Sequence, residues 1–127
     1  NGASPVPIPI QHIAASLYKD EKHNYETCLY YDQNFKIAKE LLKETHPNLK
    51  IPDAGFYLWL PVKDDLKATI DLWRDHSVRV MPGTFMAENV SSENPCKGFL
   101  RIALVHKKEI VKEAIKRISN YFKNNHV

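Results

Sequence analysis

Apolar residues recur at helical spacing over the first third of the chain. Residues 10–18 carry apolar side chains on one face, and residues 28–42 do so in alternating steps of three and four. Three prolines before residue 10 force an extended entry, and His46-Pro47 ends the second helix because proline cannot continue the hydrogen-bond ladder. The pattern predicts an arm and a short helix over residues 1–18, then a long amphipathic helix whose apolar face holds Cys28, Tyr31, Phe35, Ala38 and Leu42.

Two more helices are predicted in the second half. Asp64 and Asp65 suit the positive end of a helix dipole, and His76 lies near the negative end of the same helix. Residues 107–122 form a fourth helix with one apolar stripe and with Lys and Glu facing water. We expect the third helix to bury Leu66, Ile70 and Trp73, and the fourth to bury Ile110, Val111, Ala114, Ile115, Ile118, Tyr121 and Phe122.

Three short apolar stretches lie between these helices and predict strands. Residues 56–60 are apolar on both faces, residues 78–81 end at a Pro-Gly pair, and residues 99–105 follow a polar loop. The order α-α-β-α-β-β-α predicts an α/β fold of the two-layer α+β type, with a three-to-four-stranded sheet in one domain over residues 1–127. Apolar residues on both faces of that sheet indicate a missing partner.

Composition and charge exclude several classes of function. The formal net charge is +3, but the lysines are interleaved with acidic residues, so we expect no nucleic-acid partner. No apolar stretch approaches the roughly 20 residues that cross a bilayer, and no signal peptide opens the chain, so we expect a cytoplasmic protein with no membrane partner. The histidines are scattered and Cys28 and Cys96 stand apart, so we expect neither a metal site nor a disulfide.

Arg101 is the residue most suggestive of a binding function. It stands in the middle of an apolar predicted strand, where a permanently charged guanidinium needs a partner or an opening. Its planar fork of donors can hold a carboxylate through two parallel hydrogen bonds. Two interpretations stay open from the residues alone, a substrate carboxylate and a structural salt bridge within the domain, and composition favours the salt bridge.

Other candidate positions carry weaker signals. Gly55 precedes a predicted strand and Pro82-Gly83 follows one, which marks a sharp turn or a close approach of another group. The tyrosines at 25, 30 and 31 suit packing at helical spacing more than a pocket. No nucleophile with its base, no phosphate-cradling glycine run and no paired-carboxylate motif is recognisable.

Three stretches together resemble the small domain of the class I/II aminotransferases of fold type I. They are residues 52–60 (PDAGFYLWL), residues 78–83 (VRVMPG) with Phe85, and residues 98–105 (GFLRIALV), in the family's order and at similar intervals. Residues 4–15 are similar to the segment where the family's chain leaves the large domain for the small one. The resemblance spans nearly all of the chain.

This resemblance implies roles for single residues. Arg101 would bind the α-carboxylate of the amino-acid substrate, while Gly55, Phe56, Pro82 and Gly83 would lie near the cleft between domains. The cofactor would be pyridoxal 5'-phosphate, held by a large domain that supplies the Schiff-base lysine and is absent from this chain. We therefore expect this chain, which begins without Met, to be part of a longer enzyme, inactive alone and weak at binding the cofactor, and the parent to be a homodimer.

The finer similarity is to the N-succinyldiaminopimelate aminotransferases of bacterial lysine biosynthesis. Residues 53–59, Asn94-Pro95 and residues 101–105 carry it. It implies N-succinyl-LL-2,6-diaminopimelate and 2-oxoglutarate as substrates. The alternative is a stand-alone regulatory module that binds a small molecule, because β-α-β-β-α is part of a ferredoxin-like pattern.

Overall fold

The computed structural model describes residues 6–90 and 93–125. The chain divides into two compact units, Asn1–Tyr30 and Tyr31–Val127. The predicted fold class and order of helices and strands are confirmed. The elements are α1 (Ile8–Leu17), α2 (Glu21–Leu42), β1 (Tyr57–Pro61), α3 (Asp65–His76), β2 (Met81–Pro82), a 3-10 turn (Gly83–Phe85), β3 (Phe99–Ala103) and α4 (Lys108–Asn124).

The first unit holds α1 and the start of α2. Pro7 precedes α1 and Pro9 lies in its first turn. Backbone N–H groups there have no partner within the helix, so the missing N–H of proline costs no hydrogen bond. None of the residues of α1 is buried. The prediction of a short helix is confirmed, while the predicted arm falls partly on residues 1–5, outside the described part. The extent of one domain over residues 1–127 stays a prediction.

The second unit is built around one antiparallel sheet with strand order β1-β3-β2. Alternate residues of β1 and β3 are buried, as expected where one face of a sheet meets helices. These are Leu58 and Leu60 opposite Ile102 and Leu100. They pack with buried residues of the second half of α2 and of α3 and α4, including Phe35, Ala38, Leu42, Ala68, Leu72, Val111, Ile115 and Ile118.

The predicted inner face of α3 is wrong. Leu66, Ile70 and Trp73 are exposed, and Trp73 keeps 62% of its surface. The buried face holds Asp65, Ala68 and Leu72 instead. The small Ala68 lets the helix approach its neighbours closely, and the carboxylate of Asp65 can turn inward because backbone and hydroxyl donors meet it there.

Three other expectations are corrected. The second strand is Met81–Pro82 and not residues 78–81. Helix α3 ends at His76, its C-cap Ser77 adopts the left-handed conformation, and the Val78 N–H donates to the Leu72 carbonyl, so Val78 belongs to the helix end and not to a strand. The third strand ends at Ala103, two residues early. Among the residues expected to be buried, Cys28 and Ile110 are exposed.

Candidate functional site

Arg101 lies on the open face of the sheet, at its centre. It belongs to the middle strand, β3, and its neighbours across the ladder are Trp59 of β1 and Met81 of β2. Directly opposed residues share a face, so these three side chains project from the side that the helices leave uncovered. Trp59 and Met81 keep 38% and 40% of their surface exposed, and Arg101 is half-buried between them.

The guanidinium of Arg101 has no ionic partner among the described residues. No carboxylate of residues 6–90 and 93–125 forms a salt bridge with it, and none of its N–H groups makes a hydrogen bond there. The guanidinium lies over the ring of Tyr57, whose centroid is 4.4 Å from the guanidinium carbon. The salt-bridge interpretation therefore finds no support within the described chain, and the donors of Arg101 are available to an added carboxylate.

A shallow apolar hollow lies further along the same face. It measures about 250 Å³ and is lined by Trp59, Pro95, Cys96 and Phe99. The rings of Trp59 and Phe99 meet edge to face at a centroid distance of 6.2 Å. The described residues that line this hollow are uncharged.

The Asp65 carboxylate accepts hydrogen bonds from both ends of the loop that leads into β3. Its carboxylate accepts hydrogen bonds from the Thr84 N–H at 2.7 Å, the Thr84 hydroxyl at 3.0 Å and the Gly98 N–H at 3.4 Å. Burial raises the pKa of the Asp65 carboxyl, but the hydrogen bonds from Thr84 and Gly98 outweigh burial and hold that pKa below its usual range. The ionised carboxylate in the first turn of α3 thus links the segment after β2 to the residue before β3 through hydrogen bonds.

Asn94 organises the loop between these two points. Its amide donates to the carbonyls of Thr84 and Ala87, and its side-chain oxygen accepts from the Cys96 N–H at 3.0 Å. Every polar atom of this side chain is therefore used to shape the loop. The Asn94-Pro95 pair singled out in the sequence has a structural role here, next to the apolar hollow.

The weaker sequence candidates fall into two pairs. Gly55 has a φ of +97°, which side chains disfavour, and Phe56 after it is partly exposed and meets the Tyr57 ring at 4.3 Å. Pro82 and Gly83 are buried, and a Cβ on Gly83 would lie 1.9 Å from the Cys96 carbonyl oxygen. The structure thus places Phe56 next to Tyr57, and it shows that only glycine fits at position 83. That Gly55, Phe56, Pro82 and Gly83 lie near a cleft between domains stays a prediction.

Tyr57 is the site residue that sequence reasoning missed as a contact of Arg101. The sequence pattern predicts only that Tyr57 lies in a strand, because the contact depends on the register of β1 against β3, which pairs Tyr57 with Ala103 two positions from Arg101. Alternation along each strand could have placed both side chains on one face only once that register was known. The sequence holds no turn between these strands that would fix it.

The described residues lack a metal-ligand cluster and a membrane-spanning helix. In residues 6–90 and 93–125, no group of three or more His, Cys, Asp or Glu side chains is arranged to hold a metal ion. No helix within the same ranges combines the length and the apolar character needed to cross a membrane.

Comparisons with known proteins point to one enzyme class. No protein-family model matches the chain. An LL-diaminopimelate aminotransferase from Natranaerobius thermophilus is 29% identical over 127 residues, which cover 96% of this chain and 31% of that protein.

Solved structures that resemble this chain are also aminotransferases. An aminotransferase from Neisseria meningitidis Z2491 matches with a TM-score of 0.86 at 32% identity, over 94% of this chain and 31% of that one. An aromatic aminotransferase from Pyrococcus horikoshii OT3 matches with a TM-score of 0.75 at 25% identity, over 91% of this chain and 31% of that one. The chain thus spans about a third of the length of these relatives. Its homologues and structural neighbours are aminotransferases, and its fold is that of their C-terminal domains.

Proposed function

We propose that this chain is the C-terminal domain of a pyridoxal-phosphate-dependent aminotransferase, in which Arg101 binds the α-carboxylate of the amino-acid substrate. The parent enzyme would transfer an amino group between an amino acid and a 2-oxo acid. The observation that carries the proposal is a guanidinium on an open sheet face with no hydrogen bond and no ion pair in the described chain. A carboxylate held by two parallel hydrogen bonds is fixed in orientation as well as in position.

The resemblance to the aminotransferases implies that the cofactor site lies in the large domain and not in this chain. A phosphate needs several backbone N–H groups turned toward one point, often beside glycines that let it approach. Gly83 is closed off by the carbonyls of Cys96 and Phe99, and Gly55 is a solitary turn residue. We therefore assign pyridoxal phosphate, which supplies an electron sink when bound, to a large domain of the same parent chain.

The partners of this domain follow from the same proposal. They are the large domain, an amino-acid or 2-oxo-acid substrate, and a second subunit of a homodimeric, cytoplasmic parent. The exposed aromatic and aliphatic side chains of the open face support a covered state in the parent, because apolar patches on a domain usually mark an interface. This chain alone would be inactive, since it would bind a carboxylate without holding the reacting centre.

For the substrate, we propose a diaminopimelate derivative, specifically N-succinyl-LL-2,6-diaminopimelate with 2-oxoglutarate as amino acceptor. The similarity of residues 53–59 and 101–105 to that enzyme type supports it, and a relative at 29% identity is named for LL-diaminopimelate. The test is a comparison of kcat/KM for the succinylated and the free diaminopimelate in the parent enzyme. A clear preference for the free compound would replace the succinylated substrate by LL-diaminopimelate and leave the enzyme class unchanged.

The assignment to the aminotransferase class can be tested on the gene and on the purified parent enzyme. Sequencing upstream of the Asn1 codon and translating in frame should reveal a large domain with a Schiff-base lysine, and the purified parent should transfer an amino group to 2-oxoglutarate. A start codon immediately before Asn1 would contradict the proposal. It would favour the stand-alone regulatory module, which should be monodisperse and should bind an amino acid without any other domain.

A further inference from the structure

The ring of Tyr57 and the guanidinium of Arg101 form the closest cation–ring contact of the described residues. The carbon of the guanidinium lies 4.4 Å from the ring centroid, whereas Arg79 lies 5.8 Å from the ring of Trp73. Tyr57 and Arg101 are both half-buried, so water screens their contact less than it would at a fully exposed site. The contact thus restrains the Arg101 side chain on the open face of the sheet.

Tyr57 is itself held in place by neighbouring aromatic rings. The ring of Phe56 lies 4.3 Å from that of Tyr57, and the ring of Tyr31 in α2 lies 5.7 Å from that of Phe56. The carbonyl of Phe56 accepts a hydrogen bond from the Leu104 N–H at 2.8 Å, which ties the start of β1 to the end of β3. A ring supported in this way is a fixed surface for the guanidinium.

The type of contact matters for binding. A guanidinium offers its flat face to aromatic rings and its edge, with five N–H donors, to carboxylates. A salt bridge to a neighbouring Asp or Glu would hold Arg101 by using up that edge. The contact with Tyr57 holds the group while none of its N–H donors is hydrogen-bonded within residues 6–90 and 93–125.

We infer that Tyr57 is a positioning residue, whose ring orients the Arg101 guanidinium so that its donor edge faces an incoming carboxylate. The inference rests on the proposed carboxylate site and adds the group that preorganises it. The ring does this work, and the hydroxyl of Tyr57 does not, because that hydroxyl makes no hydrogen bond with the described residues. Preorganisation strengthens binding because less side-chain freedom is lost when the ligand arrives.

The test uses NMR on the 127-residue chain with sodium propionate as the probe. In the wild type, the Nε–H proton of Arg101 should show an upfield ring-current shift, and propionate should perturb this resonance with a measurable Kd. Tyr57→Phe should keep both the shift and the Kd. Tyr57→Leu should lose the shift and bind propionate about tenfold more weakly, a change within the range of cation–ring contacts.

Each other outcome has a distinct meaning. An unchanged Kd in Tyr57→Leu, with a folded chain in the amide spectrum, would overturn the positioning role. An equal loss in Tyr57→Phe and Tyr57→Leu would overturn it too, because the hydroxyl would then be the group that matters. An intact ring-current shift without any perturbation of Arg101 by propionate would count against the proposed carboxylate site, and the inference would fall with it.

Discussion

The two faces of the sheet differ sharply although the same strands build them. On the covered face, Leu58, Leu60, Leu100 and Ile102 are at most 6% exposed and pack against helices. On the open face, Trp59 and Phe99 keep 38% and 36% of their surface, while Tyr57 and Arg101 are half-buried. Residue type alone does not define a core, since apolar side chains occupy both faces. The covered face stabilises the fold, whereas the open face is where we propose that a carboxylate binds.

The largest loss of stability should come from a substitution on the covered face. Leu60→Ala removes a side chain with no exposed surface and should lower the free energy of unfolding by about 2–5 kcal/mol, because a cavity is left behind. Met81→Ala on the open face is the matched control and should cost about 1 kcal/mol or less. Urea unfolding of the 127-residue chain measures both. Similar losses in the two variants would contradict the difference between the faces.

A smaller effect is expected at the buried carboxylate beside β3. Asp65→Asn loses the charge that accepts three hydrogen bonds and should cost about 1–3 kcal/mol at neutral pH. Asp64→Asn is the control, because Asn still caps α3 by accepting from the Lys67 N–H.

The pH dependence sharpens this prediction. The folded pKa of Asp65 lies below its ordinary value of 3.8, so its stabilising contribution is present above that value and is lost as the pH falls through the folded pKa. The difference between the wild type and Asp65→Asn should therefore shrink in strong acid. A difference that is constant from neutral to acid pH would show that the charge is not the stabilising feature.

His46 offers a second pH test, at the end of β1. Burial of its ring lowers the pKa of His46 below 6.5, although the hydrogen bond to the Pro61 carbonyl at 3.1 Å opposes the change. The unfolded chain then binds the proton more readily, so the free energy of unfolding should fall as the pH drops below 6.5 toward the folded pKa. His46→Gln should flatten this part of the unfolding profile. An identical slope in both proteins would assign the acid sensitivity to another group.

The smallest effect on stability is expected at Arg101. Its guanidinium contacts the half-buried ring of Tyr57 and has no ion pair in the described chain, so Arg101→Lys should change the free energy of unfolding by less than about 1 kcal/mol. Thermal or urea unfolding checks this. A loss as large as that of Leu60→Ala would mean that Arg101 is a structural residue after all.

The sequence predicted the order of elements because each helix and strand has its own periodic pattern. It misplaced the inner face of α3, since Leu66, Ile70 and Trp73 follow helical spacing as well as Ala68 and Leu72 do. Hydrogen bonds to Asp65 decide between those faces, and they depend on a loop that follows later in the chain. Arg101 was identified as unusual from its apolar strand, whereas its contact with Tyr57 requires the register of two paired strands.

The most direct test of the proposed function is the effect of Arg101→Ala on catalysis by the full-length parent enzyme. We predict that the cofactor stays bound and that kcat/KM for the amino-acid substrate falls by an amount equal to about 2–4 kcal/mol of lost transition-state binding. Unchanged kcat/KM would contradict the account, because it would show that the substrate carboxylate is held elsewhere.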